Sequence, residues 1–202
     1  MKLQTKQKKS TKQLTMMGIL GAMAVILFYT VEFPVPFMPP FLKLDISDLP
    51  VLIGGFLYGP ASGVLLAFVK ALLHLFKTQT MGVGELADFL GTTALVFPAS
   101  YIYSKNKTIK RAVWGMGVGI LAMTVVAFFA NMFILIPFYS NIMPIEAIIE
   151  ACNKVNPLAN GIFADSLNGY YVCCVIPFNL FKGFIICLVT FLVYKRISRF
   201  VK

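Results

Sequence analysis

Hydrophobic residues in this chain fall in long blocks separated by short polar or proline-containing breaks, which is the pattern of helices crossing an apolar medium. Six blocks stand out, at residues 14–31, 48–58, 61–76, 85–103, 112–137 and 167–194. A spanning helix needs about 20 apolar residues, so five blocks are long enough or nearly so. The second is too short to span unless the approach through residues 42–47 is also sunk into the protein. The first block ends at Glu32-Phe33-Pro34-Val35-Pro36, where the prolines interrupt helical hydrogen bonding. Gly59-Pro60 joins the second and third, with proline suited to the first helical position. In the longest connection, residues 138–166, the stretch from Pro144 to Ala151 has the spacing of an amphipathic helix lying on the surface. No internal repeat or linker divides the chain. The pattern predicts an all-α fold, one membrane domain over residues 1–202, with six transmembrane helices and a basic N-terminal segment at 1–13.

Composition agrees. The chain of 202 residues is 58% hydrophobic and 13% charged, with a mean hydropathy of +0.81, against roughly 45–50% and about 25% in soluble domains. With 19 Phe and 8 Tyr it is also far too apolar for a disordered chain. The net charge of +10 would suggest an anionic partner, but its distribution gives another reading. Lys2, Lys6, Lys8, Lys9 and Lys12 lie at the N-terminus, Lys105, Lys107, Lys110 and Arg111 in one central loop, and Lys195, Arg196, Arg199 and Lys202 at the C-terminus, none with an acid among them. The acids Glu32, Asp45, Asp48, Glu85, Asp88, Glu146, Glu150 and Asp165 occupy the opposite connections. This is the positive-inside arrangement and puts both termini in the cytoplasm of a multi-pass protein of the cell membrane, with lipid, not nucleic acid, as its surroundings. The first block runs straight into the prolines without a small-x-small site, so it reads as a retained helix, not a signal peptide. Trp114, near the cytoplasmic end, suits an interfacial anchor.

Several chemistries are excluded. No G-x-x-x-x-G-K-[ST] loop is present, so the chain does not itself hydrolyse ATP. His74 is the only histidine, which leaves a Cys/His zinc site of the usual type without support, and the nearest small-residue context, Gly59-Pro60-Ala61-Ser62-Gly63, lacks the nucleophile elbow a serine–histidine site would need. Cys152, Cys173, Cys174 and Cys187 lack C-x-x-C spacing and read as small apolar fillers. No cofactor is implied.

What remains is a set of polar groups in apolar surroundings, where a central Lys or Asp is disfavoured by about 2.5–3.5 kcal/mol. Asn179 and Lys182 are three residues apart and share a helix face, just after Pro177. Asn131 sits at a similar depth in the fifth block. Together they either offer amide and ammonium groups to one ligand or hold helices together. Lys43-Leu44-Asp45, in an apolar first connection, is suited to folding over a pocket, and Ser47 or Asp48 to capping the short helix. Lys70 and His74, at i and i+4, are placed to pair with Glu85 or Asp88 on the next helix. An alternative reading gives Asp45, Asp48, Glu85 and Asp88 to a metal in a small membrane enzyme.

The ordered set Lys43-Leu44-Asp45-Ile46-Ser47-Asp48-Leu49-Pro50, Gly54-Gly55-Phe56-Leu57-Tyr58-Gly59-Pro60-Ala61-Ser62-Gly63, Lys70, His74, Gly84-Glu85-Leu86-Ala87-Asp88-Phe89 and Asn179-Leu180-Phe181-Lys182 resembles the substrate-binding S components of energy-coupling factor (ECF) vitamin transporters, above all the riboflavin-specific members. The resemblance spans nearly the whole chain. It implies a six-helix bundle without enzymatic activity that binds riboflavin near the outer face, beneath a loop containing Lys43, Leu44 and Asp45, with Asn131, Asn179 and Lys182 hydrogen-bonding the flavin. It also implies partners, namely a membrane coupling (T) subunit and two cytoplasmic ATPase subunits, with docking through a small-x-x-x-small pattern that Gly18 and Ala22 match on the first helix. Gly21 and Ala24 leave that register open. Thiamine, biotin or a folate in place of riboflavin is the alternative within the same fold.

Overall fold

The computed structural model describes residues 11–39, 42–78, 80–142, 144–156, 161 and 166–201. Lys2, Lys6, Lys8, Lys9, Phe41, Asp165 and Lys202 lie outside the described residues. Helix α1 (Thr11–Thr30) leads into a two-stranded antiparallel ribbon, β1 (Glu32–Pro34) and β2 (Lys43–Asp45), with Phe33 opposite Leu44. Then follow α2 (Asp48–Tyr58), α3 (Pro60–His74) with a 3₁₀ turn at Leu75–Lys77, α4 (Val83–Lys105) and α5 (Ile109–Ala130). Helix α5 widens into a π turn at Asn131–Leu135 before α6 (Ile136–Tyr139); α7 (Ile145–Val155) follows. One turn of α8 (Leu167–Gly169) and a second π turn at Tyr170–Val175 enter α9 (Ile176–Val201). The described residues are helical apart from turns and this short ribbon, in which Pro34 suits a two-stranded edge.

Among the described residues, four stretches are long and apolar enough to cross a membrane: Thr11–Thr30, Pro60–Lys77, Ile109–Tyr139 and Leu167–Tyr194. Helix α4 is as long but carries Glu85, Asp88 and Lys105, and α2 has 11 residues. Large apolar side chains on the outer faces, such as Leu121, Phe133 and Leu192, stay exposed, as lipid-facing positions do. The short α2 is sunk into the bundle. Its residues from Val51 to Phe56 are all buried, packed with Leu20 and Ala24 of α1, Leu66 of α3, Leu95 and Val96 of α4, and Ile186 of α9. The approach from Leu44 to Ser47 includes buried Leu44, Asp45 and Ser47, which resolves how so short a helix fits.

Helices α4 and α5 approach closely because Gly115 and Gly119 face the Ala99 and Leu95 carbonyls. A Cβ at Gly119 would meet the Leu95 oxygen at 2.5 Å. At the turn into α3, Gly59 adopts φ +94°, a conformation that side chains resist, and Pro60 starts the helix.

A second apolar cluster lies at the ribbon end. Ile148 and Cys152 of amphipathic α7 pack on Ile136, Tyr170, Tyr171, Cys174 and Val175, with Met38 and Leu42 of the ribbon loop against them. Cys152 and Cys174 are joined as a disulfide. This corrects the expectation that they are simple fillers: one cysteine sits on α7 and the other 22 positions later on the π turn, so linear spacing carried no sign of the pairing. Cys173 and Cys187 are free.

Candidate functional site

At the ribbon end five charged side chains from five elements converge. Lys182 of α9 donates to Asp45 Oδ2 on β2 at 2.7 Å and to Asp88 Oδ1 on α4 at 3.4 Å, with Asp48 Oδ2 of α2 at 3.6 Å. Lys70 of α3, fully buried, donates to Asp48 Oδ1 and Ser47 Oγ and is paired with Asp88 Oδ2 at 2.8 Å. Thr92 donates to Asp48 at 2.6 Å. The expected pairing of Lys70 with Asp88 is present, and His74 Nδ1 lies 3.0 Å from Glu85 Oε1. Neither Ser47 nor Asp48 supplies a side-chain cap to α2. The capping expectation is corrected for an electrostatic reason: Ser47 donates to Asp45 and accepts from Lys70, while Asp48 is held by Lys70 and Thr92.

Asp45 lies outside the spanning segments. Burial works to raise its carboxyl pKa, but Lys182, with Lys70 behind it and Ser47 hydrogen-bonding it, outweighs burial and holds it well below the ordinary carboxylate value. Glu85, at the start of α4, accepts from Thr78 and Thr80 at 2.9 Å each. The carboxylates considered for a metal are therefore each held by lysine, hydroxyl or imidazole groups of the chain.

Asn131 and its partner Tyr170 sit on π turns, whereas Asn179 follows in regular α9. Asn131 opens the first and Tyr170 the second. Asn131 Nδ2 donates to the Ala127 carbonyl at 2.8 Å, and its Oδ1 accepts from the Tyr170 hydroxyl at 2.7 Å. Asn179 Nδ2 donates to the Val175 carbonyl at 2.9 Å. Pro177 has no N–H for the Cys173 carbonyl, its partner in a regular α-helix; that carbonyl accepts from the Asn156 side chain at the end of α7 at 2.9 Å. The Cys173 carbonyl at the junction of the π turn and α9 is thus satisfied by the residue that caps α7.

These elements enclose a cavity of about 360 Å³, within the range of about 300–1,000 Å³ usual for small-molecule sites. Its walls include Phe28, Tyr29, Leu42, Met123, Leu135, Tyr139, Tyr170 and Phe178, and its polar groups include Asp45, Asp88, Asn131, Asn179 and Lys182. His74, Lys77 and Glu85 also border it, as does Lys43, which pairs with Glu32 at 3.0 Å on the exposed ribbon. Of the site residues read from the sequence, Lys43, Asp45, Asn131, Asn179 and Lys182 come together here. Leu44, on the ribbon, is 2% exposed and does not border the cavity. On α1, earlier on the helix than the cavity-lining Phe28 and Tyr29, Gly18 and Ala22 are exposed while Gly21 and Ala24 are buried. No neighbouring atom lies within 4 Å of a Cβ built at Gly18.

Phe28, Tyr139, Tyr170 and Phe178 were not anticipated from the sequence. In a chain that is 14% aromatic, another Tyr or Phe carries little information. A π turn also inserts an extra residue, rotating what precedes it by about 100° on a helical wheel, so Tyr170 is off the face that regular spacing from Asn179 assigns.

The chain matches the family model described as ECF transporter, substrate-specific component, over residues 12–194. The riboflavin transporter RibU of Staphylococcus aureus (strain TCH60) is 33% identical over 194 residues, covering 96% of this chain and 94% of its own. The riboflavin transporter FmnP of Bacillus subtilis (strain 168) is 25% identical over 194 residues, covering 95% and 94%. A solved S component of a bacterial ECF transporter superposes with a TM-score of 0.73 at 31% identity, covering 95% of this chain and 98% of that one.

Proposed function

Because the chain belongs to the substrate-specific (S) components of ECF transporters, we propose that it is the riboflavin-binding subunit of an ATP-driven vitamin importer. It is a transport subunit and not an enzyme. In this reading six helices cross the bacterial plasma membrane with both termini in the cytoplasm, and the ribbon end faces outward. The vitamin enters the cavity from outside, and the loop carrying Lys43, Leu44 and Asp45 closes over it. Gly18 and Ala22 present the exposed small-residue face of α1 to a membrane coupling subunit, and two cytoplasmic ATPase subunits supply the energy.

The observation that carries the reading is the hydrogen-bonding capacity left at the cavity by three polar side chains. Asn131 has one amide N–H beyond the one given to Ala127. Asn179 gives its amide nitrogen to Val175 and keeps Oδ1 as an acceptor, and Lys182 is a donor. Donor, acceptor and donor complement the carbonyl, N–H and carbonyl on the pyrimidine edge of a flavin, while the aromatic and aliphatic walls suit its ring. The charge balance favours an uncharged ligand. Lys182 is already opposed by Asp45, Asp48 and Asp88, so it is not a free cation for the carboxylate of biotin or a folate.

Purification in detergent tests this directly. The protein should be yellow, or bind added riboflavin tightly at one per chain without added metal. A colourless protein that ignores riboflavin and binds thiamine, biotin or a folate, or one that needs a metal for turnover, refutes the assignment.

A further inference from the structure

Resting on that assignment, we infer that Tyr170 is the positioning residue that makes Asn131 a hydrogen-bond donor to the ligand. The argument begins with the two atoms of the Asn131 amide, which are chemically opposite and interchangeable by a half-turn of the side chain. The Ala127 carbonyl, which only accepts, selects the orientation, and the Tyr170 hydroxyl, by donating to Oδ1, reinforces it. The Ala127 carbonyl takes an N–H at 2.8 Å, and the Tyr170 O–H is given to Oδ1 at 2.7 Å. Reversing the amide sets Oδ1 against the Ala127 carbonyl oxygen and withdraws the acceptor facing the Tyr170 proton. Asn131 and Tyr170 are both buried, at 6% and 4% exposed, so water does not readily replace either bond.

Polarisation adds to orientation. An amide whose oxygen accepts a hydrogen bond is a stronger donor through its nitrogen, because such bonds reinforce one another where water is excluded. The remaining Asn131 N–H is thereby matched to a ligand carbonyl and mismatched to a ligand N–H. Each partner opens a π turn, on α5 and before α9, and π turns recur where a helix must aim a particular side chain at a site. Both residues border the cavity, and the Tyr170 hydroxyl acts through Asn131.

A double-mutant cycle on riboflavin affinity tests this, using purified full-length protein and the quenching of flavin fluorescence. Tyr170→Phe retains the ring and removes only the hydroxyl. We expect it to weaken binding about 3- to 10-fold, Asn131→Ala to weaken it more, and the double variant to match Asn131→Ala within about 2-fold. The visible spectrum of bound flavin should change in Tyr170→Phe as the carbonyl contact weakens, which a purely structural role would not produce. Tyr170→Phe binding like the wild type, or losing the same factor with and without Asn131, overturns the inference while riboflavin binding stands. Failure of the wild-type protein to bind riboflavin overturns the functional assignment instead.

Discussion

Replacing Lys70 by methionine isolates the electrostatics of the buried charge cluster. The side chain is fully buried, makes ion pairs with Asp48 and Asp88, and does not border the cavity. Methionine keeps most of its volume, so the main loss is one positive charge. With Asp45, Asp48, Asp88, Lys70 and Lys182 ionised the cluster carries a net charge of −1, and Lys70→Met takes it to −2. Removing one partner of a buried pair destabilises by about 3–5 kcal/mol, because the other charge stays buried without compensation. At roughly 2–4 °C per kcal/mol for a chain of this size, the melting temperature of the ligand-free protein in detergent should fall by about 6–20 °C. Asp48→Asn in the same chain restores the net charge to −1 and should recover at least half of the loss. Riboflavin affinity, measured below the melting range, should change less than it does in Lys182→Ala. A fall under about 2 °C, or a double variant no more stable than Lys70→Met alone, would falsify the view that Lys70 is the counter-ion of this cluster.

Lys182→Ala removes a cavity donor and should weaken riboflavin binding by about 1–3 kcal/mol, the effect of leaving a buried hydrogen-bonding group unmatched; unaltered affinity in titrations takes Lys182 out of the site. Asp45 has a depressed carboxyl pKa, so its contribution is complete above the ordinary carboxylate value of about 3.9 and is lost as the pH falls through the lower value of the folded protein. Binding should therefore show no Asp45-dependent change between about pH 5 and 8, and a drop over that range that Asp45→Asn abolishes contradicts the pairing. Gly119→Ala drives a Cβ to 2.5 Å from the Leu95 carbonyl oxygen and should cost about 1–3 kcal/mol of thermal stability through overpacking. Gly18→Leu, on an open face, should leave stability and riboflavin binding intact but abolish vitamin uptake in cells; normal uptake removes that face from the docking surface.

Much of this arrangement is legible in the sequence because the membrane makes polar residues conspicuous. Asn131, Asn179, Lys182, Lys70 and Asp88 are each out of place in an apolar block, and the structure gathers all of them at one end. Hydrophobic blocks located the helices to within a few residues for the same reason. Features that depend on local departures from helical regularity were not legible. The π turns at Asn131–Leu135 and Tyr170–Val175 change the periodicity from which a helix face is read, hiding Tyr170. The ribbon pairs residues across a proline-containing connection, with no alternation long enough to announce strands. Ser47 and Asp48 carry the local signature of a helix cap, and only tertiary contact with Lys70 shows why that role is displaced. Gly115 and Gly119 are visible as small residues, but the partner they admit, α4, is a property of the packed bundle.

The ribbon's attachment follows from the same cluster. Lys182 draws its shortest ion pair from Asp45, on the ribbon, and two longer ones from Asp88 and Asp48, on helices of the bundle. Lifting the ribbon therefore does not strand a bare ammonium group in the membrane, because the two helical carboxylates remain. Asp45 itself moves toward water, which solvates it well. The ionic part of opening then resembles the loss of one charge-assisted hydrogen bond, about 1.5–3 kcal/mol, and falls short of the about 3–5 kcal/mol for breaking an isolated buried pair. Burial of Leu44 adds about 1.5–3 kcal/mol on the closed side. On the proposed reading, a ribbon held by a few kcal/mol stays shut over an occupied cavity yet opens without unfolding the bundle. The proposed capture and release of a ligand require that balance, and placing one of the three counter-ions of Lys182 on the ribbon supplies it.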